Sequence, residues 1–214
     1  MSSTIVIPPL IENLSAQMKL GLPGIAAHKK MMPSGRDMSL AKQDAVLSAV
    51  MIVLFQDLET MWNCIIIQRP VYDGIHSGQA ALPGGKFETF DENTMGTALR
   101  ETKEEICIDP EKLNIFGQLS PLYIPPSNFL VHPYLAYHQG IPQLIPNLTE
   151  VHSIHYLPLK HLLSPRTINF EWFPAGDGKI KAPCYLYERL KIWGATAMIL
   201  SELKELLLML PESF

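Results

Sequence analysis

The chain reads as one α/β domain, on three observations. Apolar, β-branched segments of strand length recur between residues 45 and 157, a glycine turn with an acidic amphipathic helix interrupts them, and helical periodicity returns at both ends. With 214 residues, 47% hydrophobic and 18% charged, it can bury a sizeable core with decorations around it. There is no internal repeat. The domain is expected to occupy residues 41–214, preceded by an extension over 1–40.

In the extension, Leu10, Leu14 and Met18 recur at helical spacing between Pro8-Pro9 and Pro23. This predicts one N-terminal helix followed by loop. Lys29, Lys30 and Arg36 fall in that loop and are read as solvated. Residues 45–55 and 63–69 are apolar and β-branched, with a short polar stretch at 56–60 between them, so they are predicted to be paired strands. The second leads through Pro70, Gly74 and Gly78 into Leu82-Pro83-Gly84-Gly85, a loop with unusual backbone demands.

Asp91 is a good N-cap, and Met95, Ala98, Leu99, Thr102 and Ile106 recur at helical spacing, which predicts a helix over about 92–106. On its other face Glu101, Glu104 and Glu105 stand at i, i+3 and i+4, so their carboxylates converge within one turn. The positions four residues beyond Glu104 and Glu105 hold Ile108 and Asp109 rather than a base, so the cluster calls for a cation. Hard oxygen ligands suit Mg²⁺ better than zinc. Arg100 lies beside the acids, and Glu92, two turns earlier, is expected to hold it. Taken singly, each piece is better explained by a solvated acidic face and an ordinary glycine turn.

Downstream, 113–119 and 131–138 are predicted strands around a Pro125-Pro126-Ser127-Asn128 turn, and 150–157 alternates like another. Glu150 follows an Asn-Leu-Thr loop, from which it could reach the acidic cluster as ligand or general base, or remain an ordinary loop carboxylate. His152 and His155 point to opposite faces of a strand and make a poor metal pair. His76 lies near Gln79 without a partner that would mark it as catalytic. Residues 164–184 carry Pro165, Pro174, Gly176, Gly178 and Pro183 and are read as a loop-rich insert around Phe170, Trp172 and Phe173. A strand over 185–190 and a helix from about 192 to 209, with Leu200, Leu203, Leu207 and Leu210 inward, complete the chain.

Together Gly85, Glu92, Arg100-Glu101 and Glu104-Glu105 resemble the Nudix box, G-x5-E-x7-R-E-U-x-E-E-x-G-U, where U is bulky and apolar. The chain departs from it in three ways: six residues separate Gly85 from Glu92, Thr102 replaces an apolar residue, and Cys107 replaces the glycine after the helix. A left-handed residue at Cys107 would cost about 1 kcal/mol without glycine. Upstream, Ile65-Ile66-Ile67-Gln68-Arg69, Gly78-Gln79 and Leu82-Pro83-Gly84-Gly85 resemble the signature L-L-T-x-R-[SA]-x3-R-x3-G-x3-F-P-G-G of coenzyme A diphosphatases. Ile67, Pro70, Gly74 and Leu82 depart from it, and Gly74 removes an arginine. The Trp193-Gly194 segment resembles the C-terminal helix of the same branch.

The resemblance implies a Nudix-type α/β/α sandwich around a mixed sheet, with a catalytic loop-helix-loop. It also implies hydrolysis of a nucleoside diphosphate linked to another moiety, with Mg²⁺ or Mn²⁺ and no organic cofactor. The implied metal residues are Gly85, Glu101, Glu104 and Glu105. Arg100 would orient the acids, Glu101 or Glu150 would act as base, and Arg69, Gly78, Gln79 and Gly84 would meet the substrate. Three readings stay open: a coenzyme A diphosphatase, a hydrolase of ADP-ribose or a dinucleotide, and a binding module without turnover. The full acidic cluster weighs against the last.

The net charge of −4 argues against a dedicated nucleic-acid binder. No apolar run reaches the ~18 residues of a membrane span. Three isolated cysteines, Cys64, Cys107 and Cys184, without metal spacing point to a reducing compartment, so the expected location is cytoplasmic. The expected partner is a small-molecule diphosphate, with a homodimer as candidate assembly.

Overall fold

The structure, a computed structural model, describes residues 6–36, 40–74, 76–176 and 178–211. Residues 1–5 and 37–39 of the extension therefore lie outside the described residues. Two helices open the chain, α1 (Pro9–Leu20) and α2 (Gly24–Lys30). Proline suits the first position of α1, where its missing N–H would have no helical partner. Leu10, Ile11 and Leu14 bury one face. Helix α2 stands where loop was expected, because Pro23, with φ −60°, starts a helix as readily as it breaks one. Lys30 pairs with Glu205 at 2.6 Å and Arg36 donates to the Tyr123 carbonyl at 2.8 Å, so both cations serve the fold.

Strands β1 (Val46–Gln56), β2 (Trp62–Gln68), β3 (Ala80–Ala81) and β4 (Gly84–Lys86) lead into α3 (Thr94–Ile106). Then come β5 (Leu113–Gln118), β6 (Leu122–Ile124), β7 (Phe129–His138) and β8 (Ser153–Pro158). These eight strands form one mixed sheet, in which β1 and β7 run parallel over nine paired positions from Val46↔Phe129 to Leu54↔Tyr137. β1 and β2 pair only near their hairpin, Leu54↔Cys64 to Gln56↔Trp62, and then splay. β4 takes up the freed edge of β1 (Val50↔Gly84) and β3 that of β2 (Ile67↔Ala81). The site is built at this splay.

Alternation along the strands divides the core in two. Ala49, Met51, Val53, Phe55, Ile65 and Ile67 pack with Ala98 and Ile106 of α3 on one face. Ile52, Leu54, Cys64 and Ile66 pack on the other, with α1 and with Leu200 and Leu203 of the last helix. The result is the α/β/α sandwich that the sequence predicts.

The chain continues through α4 (Leu159–Leu163), β9 (Ile168–Ala175), β10 (Gly178–Tyr187), β11 (Leu190–Trp193) and α5 (Gly194–Leu208). The expected loop-rich insert is instead a hairpin in a second sheet ordered β11-β10-β9. Its prolines are compatible with strand: Pro174 lies on edge strand β9, and Pro183 lies just beyond the reach of β11, whose register starts at Cys184↔Trp193. Phe173 stacks on Trp193 at 4.2 Å between ring centroids, while Phe170 and Trp172 remain exposed.

Helix α3 starts later than predicted. Asn93, not Asp91, is the N-cap and accepts the Gly96 N–H at 3.0 Å, because the Asp91 carboxylate is engaged elsewhere. Its far end is as expected: Cys107 has φ 62° and ψ 30°, the left-handed conformation that closes helices. Cys107→Gly is therefore expected to be neutral or stabilising by up to about 1 kcal/mol in urea denaturation, since glycine removes the Cβ strain at a small entropic cost.

Candidate metal centre

Two glycines bring the splayed strand against the acidic helix. Gly84 lies so close to the Ala49 carbonyl and Val50 of β1 that a Cβ would collide with backbone, and its φ of 152° disfavours any side chain. A Cβ on Gly85 would strike the Glu101 carboxylate. In return, the Gly84 N–H donates to Glu105 Oε2 at 2.8 Å.

Ligand oxygens of Glu101, Glu105 and Glu150 all lie within 4.8 Å of one another. Glu105 is buried, Glu101 half-buried and Glu150 exposed. Burial pushes the Glu105 carboxyl up to about 8, against the Gly84 N–H and the attraction of Arg69. Glu101 is also raised, by burial first. A buried carboxyl that resists ionisation beside two others is stabilised as an anion by a cation, and three hard oxygens suit Mg²⁺ or Mn²⁺. The donor set fits such an ion.

Glu104 is not in this group. Its carboxylate, half-exposed, accepts from Arg100 Nη1 at 3.0 Å. The same nitrogen donates to Glu101 at 2.8 Å, so the acidic face has a local cation, one that stands four residues before Glu104 rather than after it. Glu92 does not hold Arg100, contrary to expectation. Asp91 does so with two parallel bonds, Nε to Oδ1 at 2.9 Å and Nη2 to Oδ2 at 3.0 Å. Arg100 Nη2 also donates to the Lys86 carbonyl at 3.1 Å, and Phe90 covers the guanidinium at 5.4 Å.

The sequence held a signal for Asp91. Counted from Gly85, five residues precede Asp91, so the extra residue falls after the acid rather than before it. Arg100 foremost, helped by the Glu88 N–H and the Thr97 hydroxyl, holds Asp91 well below its ordinary value of 3.8. A depressed acid contributes stability present above its ordinary value and lost as pH falls through and below it. Asp91→Asn is therefore expected to flatten the acid limb of a stability-versus-pH curve measured by urea denaturation. An unchanged acid limb would remove Asp91 from that role.

Glu150 sits in a turn, not in β8, which starts at Ser153. The turn hangs on the end of α3: Ile145 donates to the Ile106 carbonyl at 3.2 Å and Asn147 to the Glu105 carbonyl at 2.9 Å. Arg69 follows β2 and is close enough to attract Glu105, and its guanidinium makes no hydrogen bond or ion pair among the described residues. Gly78 and Gln79 close the loop after β2: Arg69 N–H donates to the Gln79 carbonyl and Gly78 N–H to the Pro70 carbonyl, both at 3.0 Å. His76 meets the Gln79 side chain at 3.0 Å. His155 meets Ser153 at 2.9 Å, away from any metal group among the described residues.

Fold and site together define an α/β/α domain whose loop-helix-loop and one distal turn converge three carboxylates. The NUDIX domain profile matches residues 46–175, and the chain belongs to that family. It is 36% identical over 132 residues to the mitochondrial coenzyme A diphosphatase NUDT8 of Homo sapiens, a match covering 59% of this chain and 54% of that protein. It is 35% identical over 132 residues to the Nudix hydrolase NudL of Yersinia enterocolitica, covering 61% of this chain and 66% of the relative. Thus the chain spans little more than half the length of the human relative. Among solved structures, a Nudix hydrolase from M. smegmatis, RenU, superposes with a TM-score of 0.54 at 12% identity, covering 86% of this chain and 97% of that one, a likeness of fold. No helix among the described residues is long and apolar enough to cross a membrane.

Proposed function

We propose that this chain is a metal-dependent hydrolase of a nucleoside diphosphate linked to another moiety, with coenzyme A or an acyl-coenzyme A as substrate and 3′,5′-ADP and the (acyl-)phosphopantetheine as products. The convergence of Glu101, Glu105 and Glu150 carries the reading, because a buried carboxyl in an acidic trio has a use for a divalent cation. Bound by these residues, with the Gly85 main chain beside them, Mg²⁺ or Mn²⁺ would screen the diphosphate and make water a better nucleophile. Arg100, fixed by Asp91, orients Glu101 and ties up Glu104. Arg69, whose guanidinium makes no hydrogen bond or ion pair among the described residues, binds a substrate phosphate next to Glu105. Glu150, exposed and hydrogen-bonded only through its backbone among the described residues, is better placed than Glu101 to take a proton from water.

The substrate rests on the human relative's name and on the upstream signature residues Arg69 and Gly78. Gly74, exposed where the signature has arginine, favours a second reading, hydrolysis of ADP-ribose or a dinucleotide. Coenzyme A, dephospho-coenzyme A, ADP-ribose and NADH, each incubated with protein and Mn²⁺ and resolved by mass, separate the two. Release of 3′,5′-ADP with preference for coenzyme A is expected. Losing one charge-assisted bond to the 3′-phosphate should lower kcat/KM for the dephospho form by about one to two orders of magnitude. A preference for ADP-ribose or NADH would move the assignment to the second reading, and no turnover of any of them would reject both.

A further inference from the structure

Of the three converging carboxylates, two are rigid and one is not. Glu101 and Glu105 stand one turn apart on α3, locked by Arg100 and by the Gly84 N–H. Glu150 is exposed, lies outside any helix or strand, and makes no side-chain hydrogen bond or ion pair among the described residues. A long side chain on an exposed turn samples several rotamers, so its presence beside the helix pair needs a cause in the backbone beneath it.

That cause converges on one residue. The Asn147 N–H donates to the main-chain carbonyl of Glu105 at 2.9 Å, so the turn is fastened to the residue that supplies the buried carboxylate. The Asn147 carbonyl then accepts the N–H groups of Glu150 at 2.9 Å and Val151 at 2.8 Å. Its side-chain Oδ1 accepts from the Thr149 hydroxyl at 2.8 Å and the Thr149 N–H at 3.3 Å, folding the intervening residues back on themselves. Beyond the turn, Val151 is fully buried with the α3 face and His152 N–H donates to the Gln68 carbonyl at 2.8 Å, so the far end is pinned as well. Helix α3 can offer these carbonyls because the left-handed Cys107 ends it there.

We propose that Asn147 is a positioning residue that sets the Glu150 carboxylate against Glu101 and Glu105, and so completes the cation site from the loop side. This rests on the trio binding a divalent cation, as proposed above. Loss of an outer partner of a metal ligand lowers metal affinity by about 10-fold or more. Asn147 Oδ1 bonds Thr149 rather than the Glu150 carboxylate, and its main-chain bonds survive truncation, so Asn147→Ala is expected to weaken Mn²⁺ binding by less than that, about 3-fold, in a calorimetric titration without substrate. Asn147→Asp, which keeps an acceptor for Thr149, should stay close to wild type, and Thr149→Val should weaken binding in the same direction as Asn147→Ala.

A double-mutant cycle with Glu150→Gln separates positioning from general stability. Once the Glu150 carboxylate is gone, Asn147→Ala should cost no further Mn²⁺ affinity, although any loss of thermal stability would persist. Wild-type affinity in Asn147→Ala, or losses that add to those of Glu150→Gln, would overturn the positioning role while leaving the metal site intact. Wild-type affinity in Glu150→Gln itself would overturn both this role and the trio on which it rests. A variant that lost affinity only because it unfolded would declare itself in its melting curve, and Thr149→Val would then decide the matter through the same cycle.

Discussion

Glu105→Gln is expected to lower Mg²⁺- or Mn²⁺-stimulated hydrolysis steeply while the protein stays folded. Glutamine keeps an oxygen for the Gly84 N–H, so the turn that carries Gly84-Gly85 retains its anchor. The anionic oxygen pair is lost at the most enclosed point of the trio. If a cation there supplies several kcal/mol of transition-state stabilisation, turnover should fall by about 10³-fold, roughly 4 kcal/mol. The metal-free variant should melt no lower than the parent, because the cost of enclosing a carboxylate at Glu105 goes with it. Mn²⁺ titration and steady-state rates on both proteins give the answer, and equal affinity with equal turnover would reject the site.

The second large effect is on stability and lies far from the trio. Glu202 of α5, fully enclosed, accepts four hydrogen bonds: from Gly24 N–H at 2.9 Å, His28 Nε2 at 3.0 Å, Ser120 N–H at 3.1 Å and the Ser120 hydroxyl at 2.7 Å. Its partners keep it ionised below the ordinary range despite burial, which alone would raise it. Glu202→Ala would leave the buried His28 without its partner and three half-buried donors on Gly24 and Ser120 unmatched, and removing one member of a buried pair costs about 3–5 kcal/mol. Urea denaturation should show this as a lower midpoint. A loss below about 1 kcal/mol, the range of ordinary surface changes, would mean that water replaces the carboxylate.

Much of this architecture was legible in the residues, for reasons that differ by element. β1 and β2 declared themselves through β-branched apolar runs, and α3 through a period that tertiary packing kept: Ala98, Thr102 and Ile106 are buried as predicted. Cys107 was readable because a helix ending without glycine still needs a left-handed residue. The second sheet was not readable, since prolines that break a central strand are harmless on an edge and Pro174 and Pro183 both sit where a neighbour is missing. Helix α2 was missed for the same kind of reason, a proline that starts rather than stops.

At the candidate site, helical spacing anticipated that the Glu101 and Glu105 carboxylates lie close together. It chose Glu92 over Asp91 as the partner of Arg100, wrongly, because that pairing depends on how the loop folds back onto Arg100. The Arg100–Glu104 pair, at i and i+4 on one helix, was within its reach and was overlooked because bases were sought only after the acids. Which turn would deliver Glu150 is a long-range fact, set by the carbonyls at the end of α3 meeting residues some forty positions later.

The placement of α5 and the two opening helices bears on how this chain can be cut. A fragment trimmed to the family-matched residues 46–175 would keep all three carboxylates and every strand of the main sheet, yet lose α1, α2 and α5. Ile52, Leu54, Ile66 and Leu135, all sealed in the intact protein, would become one continuous greasy wall open to water. At about 1.5–3 kcal/mol for each large aliphatic side chain, such a wall is comparable to the whole margin of about 5–15 kcal/mol by which a domain stays folded. The carboxylate trio and the packing that covers the sheet are therefore written in different stretches of the chain, and a fragment cut to the family-matched residues is not a smaller version of the whole but an aggregate in waiting.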